Sequence, residues 1–507
     1  MRVLFVTAEA YPLAKTGGLA DVSRALPIAL KDRNVDVRLL LPGYPGAFTR
    51  IEKPRFVAKL DPILGVTDAA LVSGNLPDTD LPVWLVDSPS LYRRGGSLYQ
   101  DENGCAWPDN ALRFAFLSHV AAKLAMGQTR IAWKPDVVHA NDWHAGLLPL
   151  LLSFEKGPRP STIFTTHNMA FQGNFSQEVL PTIGLPDGCF TTDGVEFYGN
   201  ISFLKAGLQY ADRVTTVSPN YAKEILTPEF GCGMEGLLRA RAGDFSGILN
   251  GIDETLWNPA TDYHLPQNFR ASDISGKRIC KSALQRELSL PANPEVPLIG
   301  FVSRLTHQKM ADVVAEALPW IVEQKAQFVL VGEGDPALEE AFLNAQASHP
   351  DNLAITIGYN EPLAHWLQAA SDILLAPARF EPCGLTQLYA LRYGALPVVR
   401  HTGGLADTVV NADAFTTANR TATGFVFENA DLPSFTDALG RALALYCEPL
   451  AWRRLQLQAM AQNYSWDASA EKYLSLYHAA SGLPQTASVE STEVADEYER
   501  QAAVGLV

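Results

Sequence analysis

Residues 3–30 read VLFVTAEAYPLAKTGGLADVSRALPIAL, and this stretch decides the fold. It opens on a short apolar run, VLFVT (3–7), of the kind that forms a strand buried on both faces. The adjacent glycines Gly17 and Gly18 then precede a helical pattern over Leu19–Leu30. Strand, glycine turn and helix in that order make the first unit of a doubly wound α/β domain, in which ligands bind beyond the carboxyl ends of the strands. Glu9 interrupts the apolar run and no cleavage-site pattern follows, so the N-terminus reads as a first strand rather than a signal peptide.

The same alternation continues outward. VRLLL (37–41), VWLVD (83–87), DVVHA (136–140), TIFTT (162–166) and RVTTV (213–217) are further strands, with helices after Gly17, near Asp109, after His144, near Asn200 and after Pro219. A second series follows: LIGFVS (298–303), FVLVG (328–332), LAITIG (353–358), DILLAP (372–377) and LPVVR (396–400), with helices near Lys309 and Gly384. Between the two series, GILNGIDETLWNPATDYHLPQNF (247–269) is rich in Gly, Pro, Asn and Asp, as a linker is. At 507 residues the chain exceeds one hydrophobic core. It divides into Rossmann-like domains over 1–250 and 251–464, a closing helix over 465–481 and a mobile acidic tail over 482–507.

A net charge of −15 argues against nucleic acid or an anionic membrane as partner. No apolar stretch approaches a membrane span. The six cysteines are scattered, without zinc or CxxC spacing, which fits free thiols and a cytoplasmic protein.

The string TGGLAD recurs at 402–407, again after a strand. Glycine pairs at such corners let backbone N–H groups approach an anion, so both turns are expected to face one cleft, with Lys15 adding a cation at the first. VLVGEGDPA (329–337) imitates a dinucleotide fingerprint, but Asp335 and Pro336 crowd it, and its place well inside the second half speaks against NAD. VSRLTHQK (302–309) puts Arg304 just past a strand and Lys309 at the next helix, a clamp for a departing diphosphate. ARFEPCGLTQLYAL (378–391) places Glu381 beside a helix start near Leu385 and Thr386, so that the carboxylate takes sugar hydroxyls and the helix end takes phosphate. HANDWHAG (139–146) and TTHNMAFQG (165–173) supply Asp142, Trp143, His144 and His167 for a sugar. Their spacing is not that of a metal site, and the D-x-D of PDTDLP (77–82) reads as a solvated turn, so no metal or other cofactor is expected.

Taken in order from Met1 to about residue 480, KTGGLADV, HANDWHAG, THNMAFQG, SGILNGID, VSRLTHQK and FEPCGLTQLYAL with HTGGLADTV closely resemble the bacterial glycogen synthases and starch synthases of glycosyltransferase family 5. The resemblance implies a GT-B fold, two domains facing each other across a deep cleft. It also implies retaining transfer of glucose from ADP-glucose to the non-reducing 4-hydroxyl of an α-1,4-glucan. Lys15, Gly17 and Gly18 would then serve the donor cleft, and Asp142, His167 and Asn250 would surround the glucose. Arg304 and Lys309 would neutralise ADP, while Glu381 with Cys383, Gly384, Leu385 and Thr386 would grip sugar and phosphates. Tyr359 would pack on adenine, and the helix near 466–480 would cross back to the first domain.

One position departs from the family pattern, and a second departs only from the wider superfamily, as it typically does in glycogen synthases. Met310 follows Lys309 where glycine is usual, and Tyr389 stands where the wider superfamily carries a second glutamate. UDP-glucose as donor, a sugar epimerase, a phosphorylase and a non-catalytic glucan-binding protein are the competing readings. Intact Lys15, Arg304, Lys309 and Glu381 favour an enzyme, and the oligomeric state stays open.

Overall fold

The computed structural model describes residues 1–483, so the tail expected over 482–507 falls outside the described residues from position 484 onward. The first half carries β1 (Arg2–Val6), β2 (Asp36–Pro42), β3 (Glu52–Lys59), β4 (Ala70–Asn75), β5 (Pro82–Asp87), β6 (Val137–Asn141) and β7 (Ser161–Thr166). The short strands β8 (Asn174–Ser176), β9 (Glu196–Phe197) and β10 (Asn200–Ser202) form a small sheet apart, before β11 (Arg213–Thr216) and β12 (Phe245–Gly247). The main sheet runs β12-β11-β7-β6-β1-β2-β5-β4-β3 and is parallel except at the β3–β4 and β4–β5 pairings.

β1 shows why the opening stretch forms a central strand. Val3 and Phe5 point to one core with Leu26 and Leu30 of helix Gly18–Lys31, while Leu4 and Val6 point to another with Phe114 and Leu148. Side chains alternate across a strand, so a run without polar breaks fits only a sheet covered on both faces. The last helix, Trp466–Ser481, packs beside helix Gly18–Lys31, and Tyr477 there hydrogen-bonds His139 of β6 at 2.7 Å.

The second half holds β13 (Leu298–Val302), β14 (Gln327–Gly332), β15 (Leu353–Ile357), β16 (Ile373–Ala376), β17 (Leu396–Arg400) and β18 (Phe425–Phe427), all parallel, in the order β15-β14-β13-β16-β17-β18. Strand order reverses between β1 and β6 in the first sheet and between β13 and β16 in the second. Those are the crevices where doubly wound domains bind ligands.

The chain passes between the halves twice, and the passages meet where Ile252 pairs with Ser465. Arg24 from the first half reaches Asp253 beyond the linker at 3.3 Å. The two sheets face a common gap, and a Cβ built at Gly18 would lie 3.7 Å from Leu385 of the opposite half. This is the GT-B arrangement. No helix among the described residues is long and apolar enough to cross a membrane.

Candidate active site

In the second half, the strand-order reversal brings two separate motifs together. Arg304 follows β13, and Glu381 follows β16. Lys309, at the turn before helix Ala311–Glu323, forms an ion pair with Glu381. The Arg304 guanidinium, by contrast, is exposed and has no ion-pair or hydrogen-bond partner among the described residues. The turn carrying it is clamped from behind: Leu305 N–H donates to the Glu333 carbonyl at 2.8 Å, and Asp335 N–H returns to the Leu305 carbonyl at 2.8 Å. That explains the false dinucleotide fingerprint. A side chain at Gly334 would collide with the Leu305 carbonyl, and the Gly334 amide is taken by the Glu339 carboxylate at 2.7 Å. The glycines there seat the Arg304 turn.

Gly384 has φ +73°, a left-handed conformation that suits glycine, and it turns the chain into helix Thr386–Tyr393 with Leu385 at its start. The first N–H groups of that helix have no acceptor among the described residues. Cys383 is buried against Asn250 of the linker, and burial pushes its thiol up to about 12. The Oδ1 of Asn250 is itself buried without a partner among the described residues. Tyr359 stands exposed after β15 and donates to Glu361 at 2.6 Å. Tyr389 is buried in a stack with Trp257, ring centroids 3.7 Å apart, and Trp257 stacks in turn on His365 at 3.6 Å. An aromatic wall therefore occupies the place of the superfamily's second glutamate.

In the first half, Asp142 leaves β6 with φ +57° and accepts the His167 N–H at 2.9 Å, while His167 Nε2 meets Asn141 Oδ1 at 3.1 Å. Burial, with the Glu9 charge nearby, pushes Asp142 up to about 7, and burial pushes His167 down to about 3. His144 is held in an aromatic box of Tyr99, Phe114 and Trp143, and neither ring nitrogen has a partner among the described residues. His139 faces the closing helix rather than the gap. Among the described residues, no group of three or more His, Cys, Asp or Glu is placed to hold a metal ion. Asp80 of the D-x-D pairs with Lys31 on the surface.

The repeated turn has one construction and two uses. At the first copy, the Glu9 carboxylate accepts from Thr16 N–H at 2.7 Å, Thr16 Oγ1 at 2.6 Å and Gly17 N–H at 3.2 Å. At the second, Glu224 accepts from Gly403 N–H at 2.8 Å and Thr402 Oγ1 at 3.3 Å. Each threonine–glycine corner cradles a carboxylate. Beyond that they diverge. No described residue beyond its chain neighbours lies within 4 Å of a Cβ built at Gly17, whereas side chains at Gly403 or Gly404 would collide with the carbonyls of Glu381 and Cys383. The expectation that both turns open on the cleft holds for the first alone. The second is packed beneath the Glu381 loop, where only glycine lets two backbones come so close.

Lys15 pairs with Asp21 at 3.0 Å and lies over the Tyr11 ring. Glu9 and Tyr99, joined at 2.6 Å, escaped the sequence reading. Glu9 was legible only as a charge inside an apolar run, and nothing local links it to Tyr99.

Comparisons with known proteins agree with this geometry. A family model described as the starch synthase catalytic domain matches residues 2–240, and one for group 1 glycosyl transferases matches residues 296–444. The chain is similar to a glycogen synthase of Burkholderia thailandensis, 53% identical over 94% of this chain and 90% of that one. It is also similar to a glycogen synthase of Paramagnetospirillum magneticum, 51% identical over 95% and 98%. Among solved structures, the catalytic domain of starch synthase IV from Arabidopsis thaliana, bound to ADP and acarbose, superposes with a TM-score of 0.86 at 33% identity, covering 95% of this chain and 99% of that one.

Proposed function

The chain belongs to the family of bacterial glycogen synthases and starch synthases, glycosyltransferases that build glucan by glucosyl transfer, and on that premise we propose that its donor is ADP-glucose and its acceptor the non-reducing 4-hydroxyl of an α-1,4-glucan. The observation that carries this reading is the second-half crevice. It sets an arginine unpaired among the described residues, a lysine already bound to a carboxylate and an open helix start around one crevice. A free guanidinium and free amides suit phosphate oxygens, and a carboxylate beside them suits sugar hydroxyls.

In this assignment Arg304, Lys309 and the Leu385–Thr386 amides meet the charge that develops on ADP as the glycosidic bond breaks. Glu381, Asp142, His167 and Asn250 surround the glucose, with Cys383 and Gly384 shaping the loop beneath it. Lys15, Gly17 and Gly18 close the donor cleft from the opposite wall, and Tyr359 covers the adenine. The sequence motifs offer no convincing carboxylate nucleophile for the far face of the sugar. Transfer with retention therefore proceeds on one face, the leaving phosphate taking the acceptor proton, and catalysis is positioning and charge stabilisation. Two cations and a helix terminus supply the charge a divalent ion would bring, so we propose a metal-independent reaction. The six free cysteines favour the cytoplasm.

The deciding experiment measures ADP release from ADP-glucose, in parallel with UDP release from UDP-glucose, with and without glycogen and with chelator present. Acceptor-dependent ADP release unaffected by chelator is the expected result. Release without acceptor, preference for UDP-glucose, or no release would each refute the corresponding part of the assignment.

A further inference from the structure

The second TGGLAD turn joins the two halves through helix Pro219–Glu224 of the first half. Ser218 starts helix Pro219–Glu224 of the first half, and its Oγ donates to Asp407 at 2.5 Å. The Asn220 N–H donates to the same Asp407 oxygen at 2.9 Å, and Asn220 Nδ2 reaches the Gly403 carbonyl at 3.4 Å. At the far end of this one short helix, Glu224 takes Gly403 N–H and Thr402 Oγ1. The helix thus grips the turn at both ends, with two carboxylates crossing the junction in opposite directions.

The turn in turn holds the loop that carries Glu381. Gly404 N–H donates to the Glu381 carbonyl at 3.0 Å, and the backbones are close enough to forbid a side chain at either glycine. The Glu381 carboxylate has Lys309 as its partner. A continuous path therefore runs from Glu224 through the 402–404 backbone to Glu381 and Lys309.

We infer that Glu224 is a positioning residue for glucosyl transfer: seated on the Thr402–Gly404 turn from the opposite half, it fixes the backbone that aims Glu381 at the sugar. Docking of the halves and alignment of the Glu381–Lys309 pair are then one event. Asp407 shares this latch by holding the start of the Glu224 helix. The inference rests on the donor-site reading above.

The test compares Glu224→Ala, Glu224→Gln and Asp407→Ala in the full chain, each also on a Lys309→Ala background. In the otherwise unaltered enzyme, Glu224→Ala is expected to lower kcat at least about tenfold, with KM for ADP-glucose changed less than about threefold. Glu224→Gln, which keeps an acceptor for Gly403 N–H, restores most of that loss. On the Lys309→Ala background the same Glu224→Ala change costs less than about threefold, because the pair it aims is already broken. Unchanged kcat in Glu224→Ala, or an equal loss on both backgrounds, would overturn the inference.

Small-angle scattering of the ligand-free protein supplies a readout independent of the substrate. Glu224→Ala combined with Asp407→Ala is expected to enlarge the radius of gyration, and an unchanged radius would count against the latch. If the wild-type enzyme releases no ADP, the donor assignment fails while the scattering result still decides the latch.

Discussion

Lys309 is paired with Glu381 and is proposed to meet the charge on ADP, and Lys309→Ala separates these two roles. Its ammonium is paired with Glu381, and the side chains are 22% and 11% exposed. An exposed pair contributes about 1 kcal/mol or less, and breaking a fully buried one costs about 3–5 kcal/mol. This partly covered pair falls between, so truncation should destabilise the fold by about 2 kcal/mol and leave Glu381 without its cation. Loss of the same charge from the developing ADP should cost about 10²-fold or more in kcat, equivalent to about 2.7 kcal/mol of transition-state stabilisation. The two effects part in the double variant Lys309→Ala with Glu381→Gln. Neutralising the orphaned carboxylate restores the stability, read as the urea midpoint, but not the turnover, read as ADP release at saturating glycogen. Near-normal kcat in Lys309→Ala, or recovery of turnover in the double variant, would refute the reasoning.

Other outcomes follow from the same geometry. Arg304→Ala removes an exposed, unpaired cation and should leave the urea midpoint within about 0.5 kcal/mol of wild type while lowering kcat about 10²-fold; a large loss of stability would contradict its assignment to the ligand. Gly17→Ala meets no atom and has extended backbone, so it should fold normally, whereas Gly404→Ala drives a methyl into the Cys383 carbonyl and should cost more than about 2 kcal/mol; thermal melts of the two settle whether the repeated turns differ as described. Asp142, raised to about 7, binds its proton in the folded state between about pH 4 and 7 when the unfolded chain has released it. Its contribution is therefore fully present below the unfolded carboxyl range and lost as pH rises through 7, by up to about 4 kcal/mol. Asp142→Asn should flatten that part of the stability profile and be the more stable form at pH 8; identical profiles would contradict the burial argument. Tyr359→Ala should raise KM for ADP-glucose several-fold with kcat little changed, as removal of a contact made equally in ground and transition states does.

The buried parallel strands were legible because burial on both faces removes polar residues, leaving apolar runs such as LIGFV and LPVVR whose edges the structure moves by a residue or so. β3 and β4 were not, since EKPRFVAK lies largely exposed at the sheet edge and carries no such run. Residue types at strand ends marked Arg304, Lys309 and Glu381 as candidates, because doubly wound sheets bind at those ends. Their mutual pairing did not show, since Lys309 and Glu381 meet only when β13 and β16 become neighbours. For the same reason the two TGGLAD strings looked equivalent: what distinguishes them is the Cys383 backbone against one and open space against the other, and neither is local.

A structure of the protein with bound ADP decides where the nucleotide sits. The diphosphate is expected between Arg304, Lys309 and the start of helix Thr386–Tyr393, with Gly17 and Gly18 on the facing wall. A nucleotide seated elsewhere, with those two cations left untouched, would contradict that placement.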